Sequence, residues 1–177
     1  MIRAIVLHPD PRLKKVCDPV PQVDDSLRAL MMDMLQTMYD APGIGLAAPQ
    51  VGVLSRVVVM DCAKGEDEEP DPICLANPEI TWSSEEVREH EEGCLSIPDL
   101  FGMVTRPAAV RVQFLNRDGV GEERTFEGIQ ATCLQHEIDH LNGKLFIDYL
   151  SPVRRQMITS KMKKLKRELA RTRAEAI

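Results

Sequence analysis

The sequence predicts an α+β fold: small antiparallel or mixed sheets around a central metal-binding helix, with an amphipathic helix before them and a basic helix after them. Three observations carry this reading. Apolar residues recur at helical spacing from Leu27 to Met38. Several short strand-like runs separated by turn residues fill the middle of the chain. The pentad His136-Glu137-Ile138-Asp139-His140 sits in a second helical pattern near the end.

Met1 to Leu7 reads as a strand. It is too short for a secretion signal and has no small-residue cleavage site before His8-Pro9. Val23-Asp24-Asp25-Ser26 supplies N-cap candidates, and Leu27, Leu30, Met31, Met34, Leu35 and Met38 then line one face of a helix running to Tyr39. Ala41-Pro42-Gly43 ends it. Arg56 to Met60 is a buried-type strand, and the acidic stretch Lys64 to Asp71 an exposed loop. Short strands are expected at Ile73–Leu75, Ile80–Trp82 and Glu86–Glu91. Val110 to Leu115 alternates as a half-buried strand should, Asn116-Arg117-Asp118-Gly119 turns, and Glu123 to Phe126 returns. A helix over Gly128–Asn142 buries Ile129, Cys133 and Leu134 and ends at Gly143. Ser151-Pro152 opens a last helix with an apolar stripe of Ile158, Met162, Leu165 and Leu169. Residues 1–150 are expected to form one catalytic domain, with the basic helix of 151–177 belonging to it.

Histidines four apart on a helix share a face, with Cβ atoms roughly 5–6 Å apart, which suits two ligands on one divalent ion. A glutamate beside the first ligand can serve as general base toward a water on the metal. Metal-assisted hydrolysis is therefore the leading chemistry. A solvated helix with two surface histidines would give the same string. The third ligand decides between classes. The extended peptidase pattern HExxHxxGxxH keeps its glycine at Gly143 but has Phe146 where the third histidine belongs. A later glutamate is another source; the late acids are Asp148, Glu168 and Glu175, the last two inside a basic tail. Upstream, Glu91-Glu92-Gly93-Cys94-Leu95-Ser96-Ile97-Pro98 offers Cys94. A thiolate with two imidazoles and one open position makes a tetrahedral catalytic site, while a cysteine alone more often serves as a small buried apolar group.

Gly43-Ile44-Gly45-Leu46-Ala47-Ala48-Pro49-Gln50-Val51-Gly52 is a poor helix and reads as an irregular, closely approaching loop. Its one polar side chain, Gln50, could donate to a developing oxyanion; the plainer reading is a turn between helix and strand.

GIGLAAPQVG, EGCLSIP and QHEIDHLNG, in that order, resemble the three signature motifs of the peptide deformylases, enzymes that remove the N-formyl group from new polypeptides. The resemblance extends to about Leu150. It implies that Cys94, His136 and His140 bind the metal, that metal-bound hydroxide is the nucleophile, and that Glu137 is the general acid/base. It implies that the Gln50 amide and the Leu95 backbone N–H stabilise the oxyanion, that Gly45 offers backbone hydrogen bonds to substrate, and that Ile44 lines the pocket for the first side chain. Glu92, Gly93, Ile129 and Cys133 match positions around that pocket. It further implies one divalent ion per chain, Fe(II) in the cell, with Zn(II), Ni(II) or Co(II) able to replace it in purified protein. Two departures concern peptide contacts: Asp99-Leu100-Phe101-Gly102 stands where many relatives carry a basic residue, and His90 where a bulkier apolar residue is common.

Composition sets outer bounds. A chain of 177 residues suits one domain with a real core, and with 4% aromatics that core must lean on aliphatic residues and the nine Met. No run approaches the roughly 18 apolar residues of a membrane helix. Five cysteines, an odd number with no paired spacing, point to a reducing compartment and thus to the cytoplasm. The net charge of −6 hides an asymmetry, because Ser151 to Ile177 holds nine Lys/Arg against two Glu. A basic tail on an acidic body suggests an anionic partner, which the resemblance would make ribosomal RNA; a docked helix with a solvated face is the alternative. The chain is expected to be a monomer acting on formyl-methionyl nascent peptides. A cytoplasmic metallopeptidase and a non-catalytic ribosome-associated factor are the competing classes. The absent third His argues against the first, and the presence of Glu137 and Gln50 against the second.

Overall fold

The computed structural model describes residues 1–63 and 67–176. Helix α1 spans Asp25–Asp40. It starts where the Asp24 side chain accepts from Leu27 N at 2.8 Å, an N-cap as expected. Strands β1 (Gly45–Ala47), β2 (Val57–Met60), β3 (Ile73–Ser83), β4 (Val87–Cys94), β5 (Ile97–Pro107), β6 (Ala109–Leu115) and β7 (Gly121–Glu127) follow, then α2 (Gly128–Leu141) and α3 (Pro152–Glu175), with 3-10 turns at Pro11–Lys14, Ala48–Val51 and Phe146–Tyr149. One sheet runs β1-β2-β3-β6-β7 and a second pairs β4 with β5; every pair is antiparallel. The fold is thus α+β, with antiparallel sheets and three helices.

The period-2 alternation of strands explains why α1 and α2 take opposite faces of the large sheet. All four β2 residues are fully buried. Val57 and Val59, with Leu46 and Ala76, pack against Met31, Met34 and Met38 of α1. Val58 and Met60, with Leu75 and Val112, pack against Leu134, Ile138 and Leu141 of α2. The methionine-rich face of α1 is therefore core, as its spacing predicts. A third cluster joins Val6 and Leu13 to Ile97, Val104, Phe146, Ile158 and Met162. This docks α3 beside the β4–β5 hairpin. Ser151 caps α3 through Arg154 N.

Several expectations are corrected. Met1 to Leu7 forms no strand. It runs along the body through single bonds, Val6 N to Gln50 O at 2.8 Å and His8 N to Ser96 O at 2.9 Å for the next residue. The segments expected at Ile73–Leu75 and Ile80–Trp82 are one strand. A register shift near Asn77, whose φ is +50° and whose amide holds the Val20 backbone at 2.8 Å on both sides, breaks the apolar pattern in between. Strand β5 was not foreseen. The glycine loop contains a short strand and a 3-10 turn rather than being irregular throughout. Leu169 is 43% exposed and leaves the α3 stripe. Of the acidic loop at Lys64 to Asp71, residues 64–66 lie outside the described residues, as does Ile177; 67–71 are exposed. Among the described residues, no helix is long and apolar enough to cross a membrane.

Candidate active site

Three segments far apart in sequence meet at a cavity of about 560 Å³. The entry to β1 brings Gly43, Ile44 and Gly45; the β4–β5 hairpin brings Glu91 to Leu95, Asp99 and Phe101; α2 brings Ile129, Thr132, Cys133, His136 and Glu137. The motif residues are thus together for a topological reason. Strand β1, the edge of the large sheet, lies against α2, and the hairpin closes over the same helix.

Cys94, His136 and His140 each offer one ligand atom, and these lie within 4.8 Å of one another. Cys94 Sγ is 3.3 Å from His140 Nε2. Tetrahedral coordination with bonds near 2.0–2.3 Å places neighbouring ligand atoms about 3.3–3.8 Å apart, so the donors fit one ion. The ring centroids of His136 and His140 are 5.0 Å apart, as expected from their four-residue spacing. Phe146, in the position where a third histidine would continue the motif, stacks on His136 at 6.2 Å. It is a wall, not a donor.

Glu92 reaches both the cavity and the histidine behind it. Its Oε1 lies 2.9 Å from His136 Nδ1, which assigns the Nδ1 proton to that bond and leaves Nε2 for a ligand. Arg106, 4% exposed, holds the same carboxylate through Nε at 2.6 Å and Nη2 at 3.0 Å, and reaches Asp139 through Nη1 at 2.8 Å. Tyr149 OH donates to Asp139 at 2.8 Å, and the guanidinium lies over the Tyr149 ring at 4.8 Å. Burial alone would raise the Glu92 pKa, but bonds from His136 and Arg106 override it and bring it to about 2. Burial likewise disfavours charge on His136, yet Cys94 and Glu92 hold its pKa well above the ordinary histidine value. The surroundings of that ring thus favour positive charge, the electrostatics a cation site needs. His140, without a carboxylate, is driven well below the ordinary value by burial.

Glu137 faces the cavity and is 4% exposed. Its Oε2 and His140 Nδ1 are buried without a hydrogen-bond partner among the described residues. Burial pushes Glu137 up to about 7, where a carboxyl group can both take and give a proton. Gly45 explains its placement. A Cβ there would lie 2.6 Å from Glu137 Oε1 and 2.7 Å from Cys133 Sγ, so only glycine lets β1 approach this closely. Gln50, 1% exposed, sits in the 3-10 turn after β1 and is oriented by the end of that strand: Oε1 accepts from Ala47 N at 2.9 Å. That leaves Nε2 pointing at Ser96 Oγ, 3.2 Å away, and at Cys94 Sγ, 3.4 Å away. The loop is more than a plain turn.

Of the residues expected at the site, Ile44, Gly45, Glu92, Gly93, Cys94, Leu95, Ile129, Cys133, His136 and Glu137 line the cavity; His140 and Gln50 stand just behind it, against Cys94. Arg106, Asp139, Tyr149 and Ser96 were not foreseen. Asp139, inside the pentad, and Ser96, inside EGCLSIP, had a local signal; Arg106 lies 14 and 33 residues from the two acids it joins.

Residues 2–156 match the family model described as polypeptide deformylase. A peptide deformylase of Methylocella silvestris is 57% identical over 165 residues, covering 92% of this chain and 84% of the relative. One from Mesorhizobium japonicum is 56% identical, covering 96% of each. Among solved structures, peptide deformylase of Ehrlichia chaffeensis in complex with actinonin superposes with TM-score 0.89 at 42% identity, covering 94% of this chain and 98% of that one. On sequence, length and architecture together, the chain belongs to the peptide deformylase family of hydrolases.

Proposed function

We propose that this chain hydrolyses the N-formyl group of nascent formyl-methionyl polypeptides, releasing formate and a free amine, with one divalent ion held by Cys94, His136 and His140. The observation that carries the reading is the unpartnered Glu137 Oε2, buried beside three metal-competent donors and facing the cavity. An unsatisfied buried carboxylate oxygen costs stability, and a reacting water or amine would satisfy it. When bound, a divalent ion supplies Lewis-acid activation of water and of the formyl oxygen. The donor set suits Fe(II), Zn(II), Ni(II) or Co(II); Fe(II) is the ion proposed for the cell.

The protein's own groups divide the remaining work. Glu137 takes a proton from the attacking water and delivers it to the leaving amine. Gln50 Nε2 and the Leu95 N–H stabilise the oxyanion; the Ala47-to-Gln50 bond keeps the amide facing that way. Glu92, clamped by Arg106, fixes the tautomer and orientation of His136. Gly45 offers backbone bonds to the peptide. Ile44, Ile129, Cys133 and Gly93 form the wall for an unbranched methionine side chain, with the Glu92 end of the pocket carrying its charge already neutralised. Residues 1–150 form the catalytic unit, and 151–177 belong to it through Ile158 and Met162. The exposed cations of α3, Lys161, Lys164, Arg167 and Arg171 among them, give a surface for ribosomal RNA, on a protein proposed to be monomeric and cytoplasmic.

Glu137→Gln tests the assignment. It should keep about one metal per chain and the wild-type fold while losing on the order of 10²–10⁴ in kcat. Metal loss with proportionate activity loss would instead make Glu137 a ligand.

A further inference from the structure

Strand β4 presents alternate residues to α2, and one of them is left without a partner. Glu89 and Glu91 are exposed, while Arg88, His90 and Glu92 take the other face, as the two-residue period of a strand requires. The outer two of the three are fixed by bonds to the helix. Arg88 Nη1 donates to Thr132 Oγ1 at 3.4 Å, and Glu92 Oε1 accepts from His136 Nδ1 at 2.9 Å. Thr132 and His136 are about one helical turn apart. Half-buried His90 stands between these anchors, opposite buried Val104 of β5, and lines the cavity with Ile129, Thr132 and Cys133. Its ring makes no hydrogen bond or ion pair among the described residues. The polar groups beside it are engaged: Thr132 Oγ1 donates to Gly128 O at 3.3 Å, and Cys133 Sγ to Ile44 O at 3.5 Å. His90 is the side-chain donor that this part of the wall has to spare.

We propose that His90 is a specificity-determining residue whose ring donates a hydrogen bond to an acceptor on the substrate's first side chain, so that the pocket takes formyl-methionine sulfoxide peptides as well as formyl-methionine ones. The inference rests on the deformylase reading. A thioether sulfur is a weak acceptor and asks little of the wall around it. A sulfoxide oxygen is polar, and burying it without a partner costs binding free energy. Ile44, Ile129 and Cys133 offer it no free donor; His90 does. An imidazole carries at least one N–H in either protonation state. No bond to the protein fixes the tautomer of His90, so either nitrogen can present the proton. Oxidation also makes the methionine sulfur a chiral centre, and the two epimers aim their oxygens differently. A donor held at one point of the wall therefore favours one epimer.

Formate release would be measured from four peptides: formyl-Met, the two formyl-methionine sulfoxide epimers, and formyl-norleucine, which has the length but no acceptor. Metal-loaded wild type, His90→Ile and His90→Gln would be compared. Ratios between substrates on one sample cancel differences in metal content and folded fraction. Wild type should prefer one epimer and cleave it within about tenfold of formyl-norleucine in kcat/KM. In His90→Ile that epimer should fall by a further factor of about ten relative to formyl-norleucine, and the preference between epimers should disappear. His90→Gln keeps a donor and should recover most of the loss. A sulfoxide-to-norleucine ratio equal in wild type and His90→Ile, or an epimer preference that survives His90→Ile, would overturn the proposal while leaving the deformylase reading intact. Metal-loaded wild type that releases formate from none of the peptides would contradict the deformylase reading, and the role of His90 with it.

Discussion

Glu92 and Arg106 do unequal work from nearly equal burial, both 4% exposed. Glu92 touches the ring of a proposed ligand, while Arg106 touches the carboxylates around it and the Tyr149 ring. Glu92→Gln keeps the shape but weakens the acceptor for His136 Nδ1–H, and should lower metal affinity by about 10–100-fold. Metal titration by competition with a chelator reads this, and unchanged affinity would place Glu92 outside the site's support. Arg106→Met strands Glu92 and part of Asp139 in the interior; breaking a buried pair costs roughly 3–5 kcal/mol, read by urea unfolding. At this scale legibility followed sequence distance. His136, Glu137 and His140 announce themselves because helical geometry makes spacing a contact. Arg106 does not, because nothing in Thr105-Arg106-Pro107 says which acids it will meet after β5 folds back on β4.

Elements place those residues. Gly45→Ala puts a methyl group onto Glu137 and Cys133. It should cost catalysis more than stability, with kcat/KM down at least about tenfold while the secondary structure by circular dichroism is kept; wild-type activity would show that β1 has slack. Helix α3 offers a pH test. His8, 6% exposed, lies 2.9 Å from Thr159 Oγ1. Burial, then the positive charges of Lys14, Lys166 and Lys163, partly offset by Asp148, lower its pKa from 6.5 to about 4. Between those values the unfolded chain binds the proton and the folded chain does not. Stability is therefore full above pH 6.5 and is lost as pH falls from 6.5 toward 4. The loss between pH 7 and 5 is about 1–2 kcal/mol. His8→Gln should lack that increment when urea midpoints at the two pH values are compared. An equal loss in both proteins would mean His8 titrates normally. The helices were legible because caps and periodicity are local. Strand β5 was not, since Pro98, Asp99 (φ +63°) and Gly102 interrupt its pattern and only its partner β4 makes it a strand. Met1 to Leu7 has the apolar composition of a strand but joins no ladder.

For the whole molecule, the large sheet separates two cores, one under α1 and one under α2, and the reactive groups stand on the α2 side. Strain from the unpartnered Glu137 is thus carried by a helix with eight consecutive buried residues from Ala131 to Ile138. Three motifs scattered over about a hundred residues of sequence become one cavity because β1, the β4–β5 hairpin and α2 share that side. The motifs were readable one by one; the closure that brings them together was readable only through resemblance. The most direct test is formate release from a formyl-Met peptide by anaerobically purified protein, with metal content measured on the same sample and an acetyl-Met peptide as control. The account predicts formate from the formyl peptide, no deacylation of the acetyl peptide, and about one metal ion per chain. A metal-loaded sample that releases no formate, or that cleaves both peptides alike, would contradict it.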